Sequence, residues 1–298
     1  MTGRSDRELA GERVRRVLQP AGSGERALPE DAPVISVVIP CRTTAPDGFL
    51  AEAVASTLTQ TRARVECIIV DDGSAPSVRS QLPPEFLRSI QLVECDIPSG
   101  CALARNAGLQ RASGEFVIFL DHDDLLEHTA LDRLVRASQT SGADVILGLK
   151  QNVGPETTAP FRARCVGFPE RRVHSVEWIA RLCRPDRFGA VVLYNRQALG
   201  GLQFRNEFLR SDDLLFTLEA MFGHHAAVLN EVVFGYRQHA SSWSTTTSAR
   251  GPSRTVARRS TSSSTRRTLA EEFGVWCVQG DSCTANRSRP GTLVKASE

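Results

Sequence analysis

Several features are missing from this 298-residue sequence, and each absence narrows the possibilities. Its 8 cysteines form no C-x-x-C pair, which removes the usual support for a structural zinc site. Three of them, Cys41, Cys67 and Cys95, fall in or beside apolar strand-like runs, where a free thiol behaves as a small hydrophobe. No window reaches about 18 consecutive apolar residues, so no bilayer span is encoded. The opening stretch MTGRSDRELAGERVRRVLQP has no apolar core of the kind a signal peptide carries, and a reduced, cytoplasmic protein is the simplest expectation. A charge excess of one sign is also lacking. The net is +2, from 36 basic and 34 acidic residues, so nothing in the bulk numbers demands nucleic acid or a membrane. That balance hides a segregation: residues 245–298 hold 9 basic and 4 acidic residues, leaving 27 basic against 30 acidic for residues 1–244.

What is present is an alternation. The run PVISVVIP (33–40) reads as a buried strand, and FLAEAVASTLTQ (49–60) carries apolar groups at helical spacing. Strand-like VECIIVDDGS (65–74) and SIQLVECD (89–96) follow, then a helix over 100–113, a strand in EFVIFLDHDD (115–124), a helix over 130–142 and a strand over 143–150. This spacing predicts βαβ units and a mostly parallel sheet flanked by helices. Residues 151–244 are less regular. A strand, a turn and a helix start are expected over 188–199. An amphipathic helix is expected after Ser211, with Leu214, Leu215, Leu218 and Met221 on one side, and a strand-rich stretch over 226–239. Residues 1–32 read as a flexible arm, 33–150 as a ligand-binding half and 151–244 as the other wall of the same cleft. Residues 245–268 hold 13 Ser or Thr and 6 Arg in 24 positions, which cannot build a core, so 245–298 is expected to be a largely disordered tail.

Successive strands end in acid: Asp71 and Asp72, then Asp96, then Asp121 and Asp123. In parallel sheets, ligands bind outside the carboxyl ends of the strands. Packed carboxylates repel unless a cation lies among them, and Mg²⁺ or Mn²⁺ joining carboxylates to substrate phosphates answers that need. In Asp121-His122-Asp123 the two acids are two residues apart, so at an extended strand end both point the same way. A turn or helix cap would use the same residue types.

The segments ISVVIPCR (35–42), IIVDDGS (68–74), ALARNAGLQRASGEFVIFLDHDD (102–124) and SDDLLF (211–216), in that order, resemble the motifs of family 2 glycosyltransferases with the GT-A fold. The resemblance implies a nucleotide-sugar donor, a divalent metal (Mn²⁺ or Mg²⁺) and a single inverting displacement at the anomeric carbon. It places Pro40 and Arg42 beside the nucleotide, Asp72 on the base, Arg105 on the diphosphate, and Asp121 and Asp123 on the ribose and metal. YRQHASSWS (236–244) resembles a late Y-R-x-H element, which makes His239 a further metal or phosphate ligand and Arg237 a diphosphate neutraliser. Trp243 is a candidate sugar-stacking ring. Asp213 or its neighbour Asp212, where the family usually has Glu-Asp, is the expected general base. His122 stands where the family usually has a small residue.

The implied partners are a UDP-sugar and a carbohydrate or glycoconjugate acceptor, in polysaccharide or glycoconjugate synthesis, with no nucleic acid partner. The acceptor can be membrane-bound without the chain itself spanning a membrane. Two alternatives stand beside this reading. One is a nucleotide-sugar-binding protein without catalysis. The other is a nucleotidyltransferase, disfavoured because PCRTTAPDG lacks the Gly-rich basic loop that cradles a triphosphate.

Overall fold

The β-branched run Val34–Cys41 forms strand β1, and every residue after Val34 is buried. Successive side chains point to opposite faces, so Val37 and Ile39 enter one apolar layer and Val38 the other. Burial on both faces is what a central strand of a helix-covered parallel sheet requires. In this computed structural model residues 28, 32–43, 48–158, 191–206, 212–222 and 224–239 are described. Ser211, Trp243, residues 245–298 and nearly all of the 1–32 arm lie outside them.

The elements follow as β1, α1 (Phe49–Leu58), β2 (Arg64–Asp71), short α2 (Val78–Gln81) and α3 (Pro84–Leu87), β3 (Gln91–Glu94) and α4 (Cys101–Arg111). Then come β4 (Phe116–Phe119), β5 (Leu125–Leu126), α5 (Ala130–Ser141), β6 (Val145–Val153), β7 (Val192–Asn195), α6 (Asp212–Met221) and β8 (Ala226–Arg237). They make one sheet in the order β3-β2-β1-β4-β7-β6-β8-β5. β1 pairs parallel with β2 and β4, β2 with β3, and β6 with β8, whereas β7 and β5 run against their neighbours.

The chain winds outward from β1 to β3 and returns to β4 on the other side of β1. A crevice therefore opens at the carboxyl ends of β1 and β4, where the winding reverses. Helix α4 crosses β1 and β2 at close range: a Cβ on Gly108 would lie 2.2 Å from Val38 Cγ1 and 3.2 Å from Val70 Cγ2. The glycine of ALARNAG is what lets the helix settle on the strands.

Two expectations need correction. Residues 196–201 form turns rather than a helix start: Gly200 N donates to Gln197 O at 3.2 Å and Leu202 N to Leu199 O at 2.8 Å, and Gly200 and Gly201 have φ of 58° and 103°, outside the helical range. Helix α6 buries Phe216, Thr217 and Ala220. Leu214 and Met221 pack only partly against that layer, and Leu215 and Leu218 stay half-buried, because the aromatic cluster beneath the helix selects Phe216. The pair Leu125–Leu126, just past the strand over 115–124, forms β5 by pairing with Gly235 and Phe234 of β8.

Candidate active site

Pro40 is buried in β1 opposite Val70. Arg42, just past the strand, is exposed at the mouth of the crevice. The next acids serve the backbone. Asp71 Oδ1 accepts from Ser74 N at 2.8 Å and Oδ2 from Val78 N at 3.0 Å. Asp72 is only 2% exposed. Its Oδ1 accepts from Ser99 N at 2.6 Å and Ser99 Oγ at 2.9 Å, and its Oδ2 from Gly100 N at 2.9 Å. Asp72 thus ties the end of β2 to the loop that opens α4, and a base would have to share a carboxylate already holding three donors. Gly73 between this loop and β2 has φ of 82°, and a Cβ there would meet Pro98 Cγ at 2.6 Å.

At the end of β4 the chain turns, with Asp124 N donating to Asp121 O at 3.1 Å. The Asp121 side chain is 48% exposed and faces the crevice. Asp123 Oδ2 lies 3.0 Å from His239 Nε2, and the His239 ring packs on Phe49 with centroids 4.8 Å apart. Asp124 is buried, and its Oδ1 accepts from Arg237 N at 2.8 Å. Burial first, then the charges of Asp123 and Asp121, raise its pKa.

Arg237 departs from the expected role as a diphosphate neutraliser. It is fully buried. Its Nε donates to Asp123 O at 2.7 Å, Nη1 to Pro155 O at 2.9 Å and Thr157 O at 2.7 Å, and Nη2 to Glu52 Oε2 at 2.8 Å. The guanidinium also stacks 4.4 Å over Phe49. A buried charge needs a partner, and Glu52, the one acid in the apolar run FLAEAVASTL, supplies it. Arg237 therefore fixes the turn that presents Asp123 to His239.

The opposite wall is the first turn of α6. Asp212 Oδ2 accepts from Arg105 Nη1 at 2.6 Å, and Arg105 Nη2 donates to Asp121 Oδ1 at 2.8 Å. The guanidinium expected on a diphosphate is thus held between two carboxylates, with Phe204 5.4 Å beneath it. Asp213 has an open outer face, and its Oδ1 accepts from Leu214 N at 2.8 Å. Protein atoms crowd its other sides, so desolvation pushes its pKa up. Arg105 opposes this, and Asp212 and Asp121 add to it. A carboxyl with a raised pKa is the type that serves as a proton acceptor near neutral pH.

Other residues aim this turn without having been singled out beforehand. Asn106 Nδ2 donates to Phe204 O at 2.8 Å while its Oδ1 accepts from Phe204 N at 2.8 Å. Phe204 stacks on Phe216 of α6 at 3.9 Å, with Phe119 edge-on to Phe204 at 4.7 Å. Tyr194 Oη and Thr217 Oγ1 are 2.8 Å apart, and Thr217 Oγ1 donates to Asp213 O at 2.7 Å. Only Asn106, adjacent to Arg105 in ALARNAG, carried any signal in the sequence.

Among the described residues, no group of three or more His, Cys, Asp or Glu is placed to hold a metal ion by itself. An open edge bearing Asp121 and Asp123, with His239 against Asp123, instead fits Mg²⁺ or Mn²⁺. Such ions take one or two carboxylates and complete their shell with substrate phosphates and water.

Residues 36–202, more than half of the chain, match the model of Glycosyl transferase family 2. Three curated relatives illustrate the range. Glycosyltransferase GlyG of Streptococcus pneumoniae is 31% identical over 118 residues, covering 39% of this chain and 38% of that one. Succinoglycan biosynthesis protein ExoM of Rhizobium meliloti is 37% identical over 103 residues, covering 33% and 32%. The uncharacterized glycosyltransferase EpsJ of Bacillus subtilis is 25% identical over 226 residues, covering 70% and 62%. The chain thus spans about a third to three-fifths of the length of these relatives. Among solved structures, S. aureus TarS 1–349 in complex with UDP-GlcNAc superposes with a TM-score of 0.53 at 20% identity, over 69% of this chain and 58% of that one, which shows a shared GT-A fold. By the family model, this chain belongs to glycosyl transferase family 2.

Proposed function

We propose that this chain transfers a sugar from a nucleoside-diphosphate sugar, a UDP-sugar in the first instance, to a carbohydrate or glycoconjugate acceptor by one inverting displacement. The observation that carries this reading is Asp213. It is an open carboxylate with a raised pKa, set across the crevice from the Asp121–Asp123 edge while its neighbour Asp212 is engaged by Arg105. Asp213 takes the acceptor hydroxyl's proton as that oxygen bonds to the anomeric carbon. The bond from the anomeric carbon to the phosphate oxygen breaks, and the electron pair leaves with the nucleoside diphosphate.

Asp123, with Asp121 and His239 beside it, would hold Mg²⁺ or Mn²⁺, whose charge stabilises the leaving diphosphate. Arg42, exposed just past the end of β1, would meet the donor. The UDP preference draws support from the sequence motifs and from TarS, which was crystallised with UDP and with UDP-GlcNAc. A cytoplasmic site of action belongs to the same reading, supported by the thiols of Cys67, Cys95 and Cys101, which form no disulfide among the described residues. No helix among the described residues is long and apolar enough to cross a membrane.

The test is a panel of nucleotide sugars incubated with Mn²⁺, with Mg²⁺ or with chelator, following release of the nucleoside diphosphate. The reading expects metal-dependent release from one donor class, abolished in Asp213→Asn. Donor binding with no release from any donor, with or without acceptor oligosaccharides, would overturn it.

A further inference from the structure

The Arg105 side chain is 9% exposed, yet it joins two carboxylates from opposite walls of the crevice, Asp121 sixteen residues away and Asp212 one hundred and seven residues away. Its two Nη groups are both committed, at 2.6 and 2.8 Å. A shielded planar fork holding two carboxylates fixes their direction more firmly than a flexible ammonium does. The next residue repeats the tie. Asn106 clamps both backbone groups of Phe204, and Phe204 stacks on Phe216 of α6. Helix α4 is itself seated on β1 and β2 through Gly108. Two adjacent residues of one well-anchored helix therefore hold the first turn of α6. Neighbouring residues on a helix are about 100° apart, so turning Asp212 toward Arg105 turns Asp213 to the open side of the crevice.

We propose that Arg105 is a positioning residue for the transfer, acting through Asp212 and Asp121 to tie α6 to the end of β4 and leave Asp213 as the carboxylate that meets the acceptor. The inference rests on the proposed glycosyl transfer and gives it an internal geometry. It differs from the role the motif suggests. To grip a diphosphate, Arg105 would have to leave Asp212, whose side chain is 13% exposed, behind in a shielded place, whereas as a tie it stays paired with it throughout.

The test is a double-mutant cycle of Arg105→Lys, Asp212→Asn and both together. Lys keeps the charge but has one ammonium, which does not fork across two carboxylates. UDP affinity with Mn²⁺ is measured by calorimetry, and kcat is measured with the active donor. We expect UDP affinity to stay within about threefold in Arg105→Lys while kcat falls by about 10²-fold, the usual cost of misplacing a reacting group by an ångström. Asp212→Asn should fall similarly, and the double variant no further than the worse single, because both changes cut one tie. Loss of UDP affinity by more than about tenfold, with losses that multiply in the double variant, would show that Arg105 binds the donor and overturn the proposal. If the wild-type chain transfers no sugar, the proposed function fails and the tie is judged separately from melting temperatures. Non-additive shifts across the same four proteins keep it, and additive shifts overturn it.

Discussion

Replacing Asp213 by Asn separates the chemistry of the carboxylate from its architecture. The structural part is small. Asp213 Oδ1 accepts a hydrogen bond from Leu214 N at 2.8 Å, and an Asn oxygen accepts the same bond. The tie from Thr217 goes to the backbone carbonyl of residue 213, which the substitution leaves in place. What disappears is the proton acceptor. A positioned base contributes about 10²–10⁴ in rate, or about 2.7–5.4 kcal/mol of barrier at about 1.36 kcal/mol per decade. Nucleotide and metal affinity should not change, because neither contact involves Asp213.

The pH dependence has a fixed sign. The folded-state pKa of Asp213 lies above the ordinary 3.8, so the stability it contributes is fully present below that value and is lost as pH rises through the folded pKa. At neutral pH the ionised group is a small cost, and Asp213→Asn should melt at the same temperature or slightly higher. For turnover, the acid limb of kcat in the wild type should lie above pH 3.8. It should move to lower pH in Asp212→Asn, since the Asp212 charge helps hold the Asp213 pKa up. The assay is initial rates at saturating donor across the acid range for all three proteins. A fully active Asp213→Asn enzyme, or a larger loss in Asp212→Asn than in Asp213→Asn, would refute the assignment.

Asp123→Ala should remove most of the Mn²⁺-dependent thermal stabilisation by UDP while the metal-free melting temperature stays near wild type, which differential scanning fluorimetry reads directly. Arg237→Met removes the cation paired with buried Glu52 and the donor to the Asp123 carbonyl, so urea unfolding should show a loss of about 3–5 kcal/mol, the usual cost of breaking a buried ion pair. Gly108→Ala drives a methyl against the fully buried, stiff Val38. Overpacking of about 1–3 kcal/mol should exceed the gain of up to about 1 kcal/mol in helix propensity, so the chemical-denaturation midpoint should drop, and an unchanged or raised midpoint would contradict the close approach.

The sequence carried the local signals of this fold well. Apolar strands ending in acids, and amphipathic stretches at helical spacing, are properties of consecutive residues. They placed β1 to β4, α1, α4 and α5, as well as the acids around the crevice. The rest depends on pairings between distant segments. Leu125–Leu126 is too short to announce a strand and becomes one only because β8 lies beside it. The buried face of α6 was misread because leucines outnumber the single Phe216, and only the ring of Phe204, from another segment, shows which side turns inward. Arg237 and Glu52 were both visible as charges near apolar runs, but their partnership across 185 residues was not. Likewise Arg105 and Asp212 were each singled out, and the 2.6 Å contact that joins them comes only from the fold.

The central claim is that a carboxylate from α6 activates the acceptor from the side opposite the departing diphosphate, in one step. Its most direct test is the anomeric configuration of the first product. With an α-linked nucleotide sugar as donor and the acceptor, or water in its absence, ¹H NMR within the first minutes reads the coupling at the anomeric proton before mutarotation. The account predicts a β product whose formation requires Asp213, and an α product would contradict it.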